Sequence, residues 1–172
     1  MKPVRPGRET GVKPHDPKLL PPPIRLHLAE MTMNDHHASL IRRSFDQIAP
    51  VAEDTAALFY GTLFAQSPEL RPLFKGDLAS QGRRLMEMIG AAVRLLDQPP
   101  SLLPVLAQLG ARHAGYGVEP GDYRKVGQAL MATLSQTLGD DFDDATREAW
   151  GAMYALVSET MIAAGRAERR AA

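Results

Sequence analysis

From Ser39 onward, apolar positions recur at a period of about 3.6 residues, the spacing of one buried face on an α-helix. Leu40, Ile41, Ser44, Phe45 and Ile48 mark a first helix, which Pro50 closes. Ala56, Phe59, Tyr60, Leu63 and Phe64 mark a second, ending near Ser67-Pro68. A short third follows, with Ser67 in the capping place, Pro68 at its first position and Leu70, Leu73 and Phe74 turned inward. The turn Lys75-Gly76-Asp77 leads into a helix from Leu78 to about Asp97, where Gln81, Leu85, Met88 and Ala92 share one stripe. Gln98-Pro99-Pro100-Ser101 breaks the pattern and caps the next helix, which carries Leu102, Leu106, Leu109 and His113 on one face. Gly115 and Gly117 bracket Tyr116 and end it. Two long helices close the chain. One runs from about Asp122 to Leu138 with Tyr123, Val126, Leu130 and Leu134 on one side, and one begins near Asp141 with Trp150, Met153, Tyr154, Val157 and Met161. No stretch alternates with period two for long enough to be a strand. The expected class is all-α, with about seven helices of unequal length, a layout of crossed helices rather than a matched bundle.

Residues 1–32 break this regularity. They hold seven of the fourteen prolines, Pro21-Pro22-Pro23 among them, with scattered Lys and Arg and no apolar period, a composition that cannot offset the entropy of ordering. They are expected to be a disordered, mildly basic leader, followed by one domain over 33–166 and a flexible tail over 167–172. Met31 and Met33 lie at the junction, so a true leader and a mis-assigned start both stand open. His15, His27, His36 and His37 have no helical partner and are expected to be solvated.

Composition narrows the chemistry. The 172 residues balance 20 Lys and Arg against 20 Asp and Glu, so no basic footprint for nucleic acid is visible. The absence of cysteine excludes disulfides, thiolate metal sites and a thiol nucleophile. Apolar runs fall far short of the roughly 20 residues of a membrane span, which makes the cytoplasm the expected compartment. Asp140-Asp141-Phe142-Asp143-Asp144 does not fit a calcium loop in either frame, because Phe142 or Ala145 falls where an oxygen ligand is needed. Nucleotide, hydrolase and zinc-protease signatures are missing.

Three polar tips remain on apolar faces: the Tyr60 phenol, the Gln81 amide and the His113 imidazole. Each alone reads as a satisfied core residue. Together they suit a pocket with a ligated metal and a small polar guest. Phe59-Tyr60, Leu63-Phe64, Pro68-Glu69-Leu70-Arg71-Pro72-Leu73-Phe74, Arg112-His113, Gly117-Val118, Tyr123, Val126-Gly127, Ala149-Trp150 and Tyr154 come in an order and spacing that resembles the bacterial single-domain haemoglobins and the globin domain of flavohaemoglobins. The stretch Leu78 to Met86 is also similar to the neuroglobin-like bacterial globins. The match covers roughly Ser39 to Ala164.

This resemblance implies a globin fold around haem b. It implies His113 as the proximal iron ligand, Phe74 as the aromatic wedging the porphyrin, Leu85 as the apolar wall above the iron, and Tyr60 and Gln81 as the distal hydrogen-bonding pair. Gln81 is a poor iron ligand, so a five-coordinate ferrous state is expected. In the flavohaemoglobin-like globins a Glu late in the last helix hydrogen-bonds the proximal His, with a Tyr nearby. Tyr123 fits the Tyr, but the Glu position, counted from Trp150, falls on Gly165. His113 is therefore expected to donate to a carbonyl of its own helix, with a weaker push on the iron. The implied function is reversible binding of oxygen and other diatomic ligands (NO, CO), for transport, storage or delivery; the alternative is a nitric-oxide dioxygenase. The sequence to Ala172 carries no flavin or nicotinamide signature, so sustained turnover is expected to need a separate NAD(P)H-dependent reductase. A gas sensor would need an output domain, and a haem-free interaction domain would leave the set Tyr60, Phe74, Gln81, Leu85 and His113 to coincidence.

Overall fold

The computed structural model describes residues 34–171. The leader, with His15, His27, Met31 and Met33, lies outside the described residues. Six α-helices and three short 3-10 segments follow one another, with no strand among the described residues: α1 (Asp35–Ile48), α2 (Ala52–Gln66), α3 (Leu78–Arg94), α4 (Pro99–Gly115), α5 (Pro120–Leu138) and α6 (Asp144–Ala171). The 3-10 segments are Ala49–Val51, Pro68–Leu73 and Gly139–Asp141. The short third helix of the sequence pattern is thus a 3-10 segment, and the all-α expectation holds.

Helix boundaries follow local chemistry. The Asn34 side chain accepts from the His37 N–H at 2.7 Å, so α1 begins four residues before the apolar period does. Asp77 caps α3 by accepting from Ser80 N–H at 2.8 Å, and Asp143 accepts from Thr146 N–H at 2.7 Å at the start of α6. Ser67 makes no side-chain cap, and Gln98 makes none for α4; Pro68 and Pro99 start those segments through their fixed φ alone. The last helix continues through Ala171, across most of the stretch expected as a tail, where its side chains are exposed.

Glycines decide how closely the helices cross. On α3 the buried residues are Gly82, Met86, Gly90, Ala92 and Val93, so Ala92 of the expected stripe is buried, while the face turns by about one residue from Gln81 and Leu85, and Met88 is exposed. The reason is that a Cβ at Gly82 would lie 2.9 Å from Ala56 Cβ, and one at Gly90 would lie 3.1 Å from the Phe45 ring. Absence of a side chain is what those positions contribute, and hydropathy does not register it. The tightest crossing joins α4 to α6: a Cβ on Gly110 would come within 2.2 Å of the Met161 carbonyl oxygen. Away from it, buried Trp150 donates to Ser44 Oγ at 2.9 Å, and Ser44 donates in turn to Leu40 O at 2.8 Å, tying α6 to α1.

One buried hydroxyl has no partner. Thr55 Oγ1, on a residue 4% exposed, lines a small apolar cavity with Phe45, Met86, Ile89, Leu134 and Trp150. Thr133 and Thr160 satisfy their hydroxyls on the carbonyl four residues back. For Thr55 that carbonyl belongs to Val51, whose φ of −118° and ψ of 28° take it off the helical path. An unsatisfied buried hydroxyl costs about 1–3 kcal/mol, so Thr55→Val is expected to hold or raise stability by about 1 kcal/mol in chemical denaturation. Gly110→Ala is expected to cost about 2 kcal/mol or more, since backbone rather than a flexible side-chain end meets the new methyl; equilibrium unfolding of the two variants checks both.

Candidate functional site

His113 sits in the last turn of α4, and three hydrogen bonds define its setting. Its Nδ1 donates to the Leu109 carbonyl one turn back at 2.8 Å. That bond places the imidazole proton on Nδ1 and leaves the Nε2 lone pair free to bind a metal. The His113 carbonyl accepts from Tyr116 N–H and Val118 N–H, both at 3.1 Å, while Gly117 N–H donates to Ala114 O. Gly117, at φ +86°, supplies the left-handed residue that this helix ending requires. The His113 side chain and peptide are therefore both pinned, by its own helix and by the turn after it. Tyr116 lies 68% exposed with its ring centroid 6.3 Å from the imidazole, and half-buried Tyr123 of α5 lies on another side at 6.4 Å.

The Gly165 position explains why a helix carbonyl is the acceptor. A Cβ there would lie 3.1 Å from Ala114 Cβ and 3.2 Å from the Gly110 carbonyl oxygen. The two helices approach too closely at this point for a carboxylate to enter without moving them apart. The expected alternative, a carbonyl of the same helix, is the one His113 uses.

On the other side, Tyr60 is 6% exposed in an aromatic cluster with Phe59, Phe64 and Phe74, at centroid separations of 5.1, 5.8 and 5.4 Å. Burial raises the Tyr60 pKa above its ordinary value, with a smaller opposing pull from Arg84, so the hydroxyl keeps its proton. Its oxygen has no hydrogen-bond partner among the described residues. Phe74 is clasped on both sides of its peptide: its N–H donates to Arg71 O at 3.1 Å, and its carbonyl accepts from Arg71 Nη1 at 2.8 Å. The Gly82 approach brings the start of α3 against the Tyr60 ring, 3.9 Å from an added Cβ, which places Gln81 next to this contact. The Gln81 amide reaches back over the preceding turn, with Nε2 3.4 Å from where a Gly76 Cβ would stand. Half-buried Leu85 packs on the same cluster.

Helix α5 is common to both halves. Tyr123 lies beside His113, and Val126, one turn on, packs with Tyr60, Leu63 and Phe59. The backbone of α5 is itself held by α6, where the Tyr154 hydroxyl donates to the Tyr123 carbonyl and its ring lies over Gly127, 2.4 Å from an added Cβ. Burial pushes up the pKa of both phenols, Tyr154 the further. Sequence reasoning selects Tyr60, Phe74, Leu85 and Tyr123; it misses Gly82, Gly110 and Val126, of which only the glycines inside apolar helices carry a visible sign.

Among the described residues no group of three or more His, Asp or Glu could hold a bare metal ion. An imidazole whose Nδ1 is spent on a carbonyl and whose other nitrogen makes no hydrogen bond among the described residues fits an iron that arrives with its own macrocycle. The unpartnered Tyr60 hydroxyl would suit the ligand side of such a group, while the Gln81 amide turns back to the Gly76 turn and is not brought to Tyr60. His113 would hold the iron, and Phe74 and Leu85 would contact the macrocycle.

Comparison with known proteins agrees. The Globin family model matches residues 57–161. The flavohemoprotein of Halalkalibacterium halodurans is 28% identical over 138 residues, 78% of this chain and 34% of that protein. That of Bordetella parapertussis is 32% identical over 112 residues, 63% of this chain and 28% of the relative, so the chain spans about a third of the length of such relatives. Among solved structures, a bacterial globin from Campylobacter jejuni superposes with a TM-score of 0.70 at 20% identity, covering 80% of this chain and 99% of that one. A flavohemoglobin from Malassezia yamatoensis with bound FAD and heme gives 0.66 at 21% identity, covering 81% of this chain and 37% of that one. With the family model spanning α2 to α6 and the fold matched along the whole of a bacterial globin, the chain belongs to the globin family.

Proposed function

We propose that this chain is a haem-binding globin that reversibly binds oxygen, with His113 as the proximal ligand and Tyr60 and Gln81 as the distal donors. The observation that carries the reading is the pair of opposite environments around His113 and Tyr60. His113 spends its Nδ1 proton on a neutral carbonyl, and Tyr60 keeps an uncommitted hydroxyl in an apolar surround. Bound ferrous haem supplies an open coordination position for a diatomic gas.

The residues do the rest. A carbonyl acceptor makes the imidazole a weaker donor than a carboxylate acceptor would, which favours holding a gas over activating it. The Tyr60 proton, kept on by burial, is available to a polar diatomic guest, and the surrounding Phe59, Phe64 and Phe74 rings exclude water that would compete for it. Gln81 can donate without offering an imidazole to the metal.

A second reading is nitric-oxide dioxygenase activity served by a separate NAD(P)H-dependent reductase. It is favoured by the match to the globin third of the flavohemoproteins. Sustained nitric-oxide consumption with an added reductase, at a rate set by enzyme rather than by reoxidation, would favour the enzyme; stoichiometric consumption alone favours the carrier.

Absorption spectra of the purified protein, oxidised, reduced and reduced under oxygen or carbon monoxide, test the primary reading. A five-coordinate reduced spectrum and a stable oxygen complex are expected, with both lost or altered in His113→Ala. Absence of bindable haem would overturn the assignment. Tyr60→Phe is expected to speed oxygen release about fivefold or more, the loss of one hydrogen bond worth ~1 kcal/mol. Stopped-flow displacement of oxygen by carbon monoxide measures it, and an unchanged rate removes Tyr60 from the mechanism.

A further inference from the structure

A line of polar contacts runs from the end of α6 to the segment before Phe74. Arg169 Nη1 donates to the Val118 carbonyl at 3.3 Å and lies 3.8 Å from Glu119 Oε1. Val118 is the residue whose N–H caps the His113 carbonyl. Glu119 N–H donates to Asp122 Oδ2 at 2.9 Å, and the other oxygen of that carboxylate accepts from Lys125 Nζ at 3.3 Å. Lys125 also pairs with Glu69 at 2.9 Å. Glu69 lies in the 3-10 segment Pro68–Leu73, which ends in the Arg71 clasp on Phe74.

We propose that Arg169, Glu119, Asp122, Lys125 and Glu69 form one electrostatic strap that positions the His113 corner relative to the Phe74 segment, and so controls how firmly the pocket holds its cofactor. The inference rests on the haem-binding reading for its consequence, though the strap itself is a property of the chain.

Isolated surface ion pairs contribute little, because two long side chains must be ordered against solvent and salt. This arrangement differs in three respects. Two of its links end on backbone, at the Val118 carbonyl and the Glu119 N–H, and so need only one ordered side chain each. Asp122, with a side chain 15% exposed, is engaged on both oxygens. Lys125 bridges two carboxylates on different elements, and its hydrogen bond holds the Glu69 carboxyl below the usual range while the same contact raises the ammonium. The strap also accounts for Arg169 better than a dipole role does, since that guanidinium turns to a neighbouring loop instead of to the carbonyls ending its own helix. Arg169, Lys125 and their partners touch neither His113 nor Phe74 through side chains. They are positioning residues.

Amide hydrogen exchange on the purified protein tests the strap directly. Lys125→Met is expected to speed exchange about threefold to tenfold at two distant amides, Phe74 N–H and Val118 N–H, although Lys125 bonds to neither residue. Arg169→Gln is expected to do the same in the reverse direction, reaching Phe74, and Lys125→Arg to restore the wild-type pattern. Combining Lys125→Met with Arg169→Gln is expected to add little beyond either alone, because one break releases the whole strap. Acceleration confined to the mutated end, or fully additive effects, would overturn the proposal. The consequence is read by cofactor transfer to excess apomyoglobin and by the iron–histidine stretching band. Each single variant is expected to lose haem about threefold to tenfold faster with a shifted or broadened band, and high salt to bring wild type toward the variants. Unchanged transfer and an unchanged band in variants with altered exchange would overturn the link to the cofactor. A wild-type protein without haem would instead sink the cofactor reading, while the exchange data still decide the strap.

Discussion

The α4–α6 crossing is the constraint from which the site follows. It is a contact of backbone on backbone, with the Gly110 Cα facing the Met161 carbonyl and Gly165 closing on Ala114 and the Gly110 carbonyl one turn further. No side chain can be added at Gly110 without parting the helices. That closeness fixes the end of α4, and with it His113, against the rigid body of α6. The same closeness leaves no space for a carboxylate at 165. The imidazole then takes the acceptor that remains within reach, the Leu109 carbonyl. Packing and electronic tuning are two results of one crossing.

The opposite wall uses a second glycine crossing to different effect. Gly82 lets α3 rest on Ala56 and brings its first turn against the Tyr60 ring. Three aromatic rings then surround the phenol, and desolvation rather than a charged neighbour dominates its pKa. A buried hydroxyl without a partner is normally a liability. Thr55 carries that liability, whereas the Tyr60 oxygen, though without a partner among the described residues, is not sealed from its surroundings. Thr55 faces an apolar cavity away from every polar tip, and its lost partner is explained by the irregular backbone at Val51. Tyr60 stands beside Phe74 and the Gly82 crossing, the place that the proposed function gives to a polar guest.

Much of this was legible in the sequence because it rests on residue types with strong signatures. Phe59, Tyr60, Leu63 and Leu70 announce a buried face by period, Pro99 and Pro120 announce helix starts, and Gly115 and Gly117 announce the stop behind His113. The choice of a helix carbonyl for His113 also followed, from the glycine at 165. What escaped was carried by absence or by distance along the chain. Gly82, Gly90 and Gly110 act through the Cβ they lack, which is why the buried face of α3 is turned and Met88 is exposed. The Ser67 and Gln98 caps failed because proline at the next position starts a helix without side-chain help. Arg169 and Lys125 look like ordinary surface charge until the fold brings them to residues 51 and 56 positions earlier, Val118 and Glu69.

The charges around His113 carry the argument one step further. A carboxylate at 165 would have placed negative charge next to the imidazole, increasing its electron donation to iron. In this chain Gly165 offers no side chain there, and one turn further along α6 Arg169 turns to the Val118 carbonyl and the Glu119 carboxylate. The proposed oxygen-binding reading rests on the neutral acceptor that the α4–α6 crossing leaves to His113.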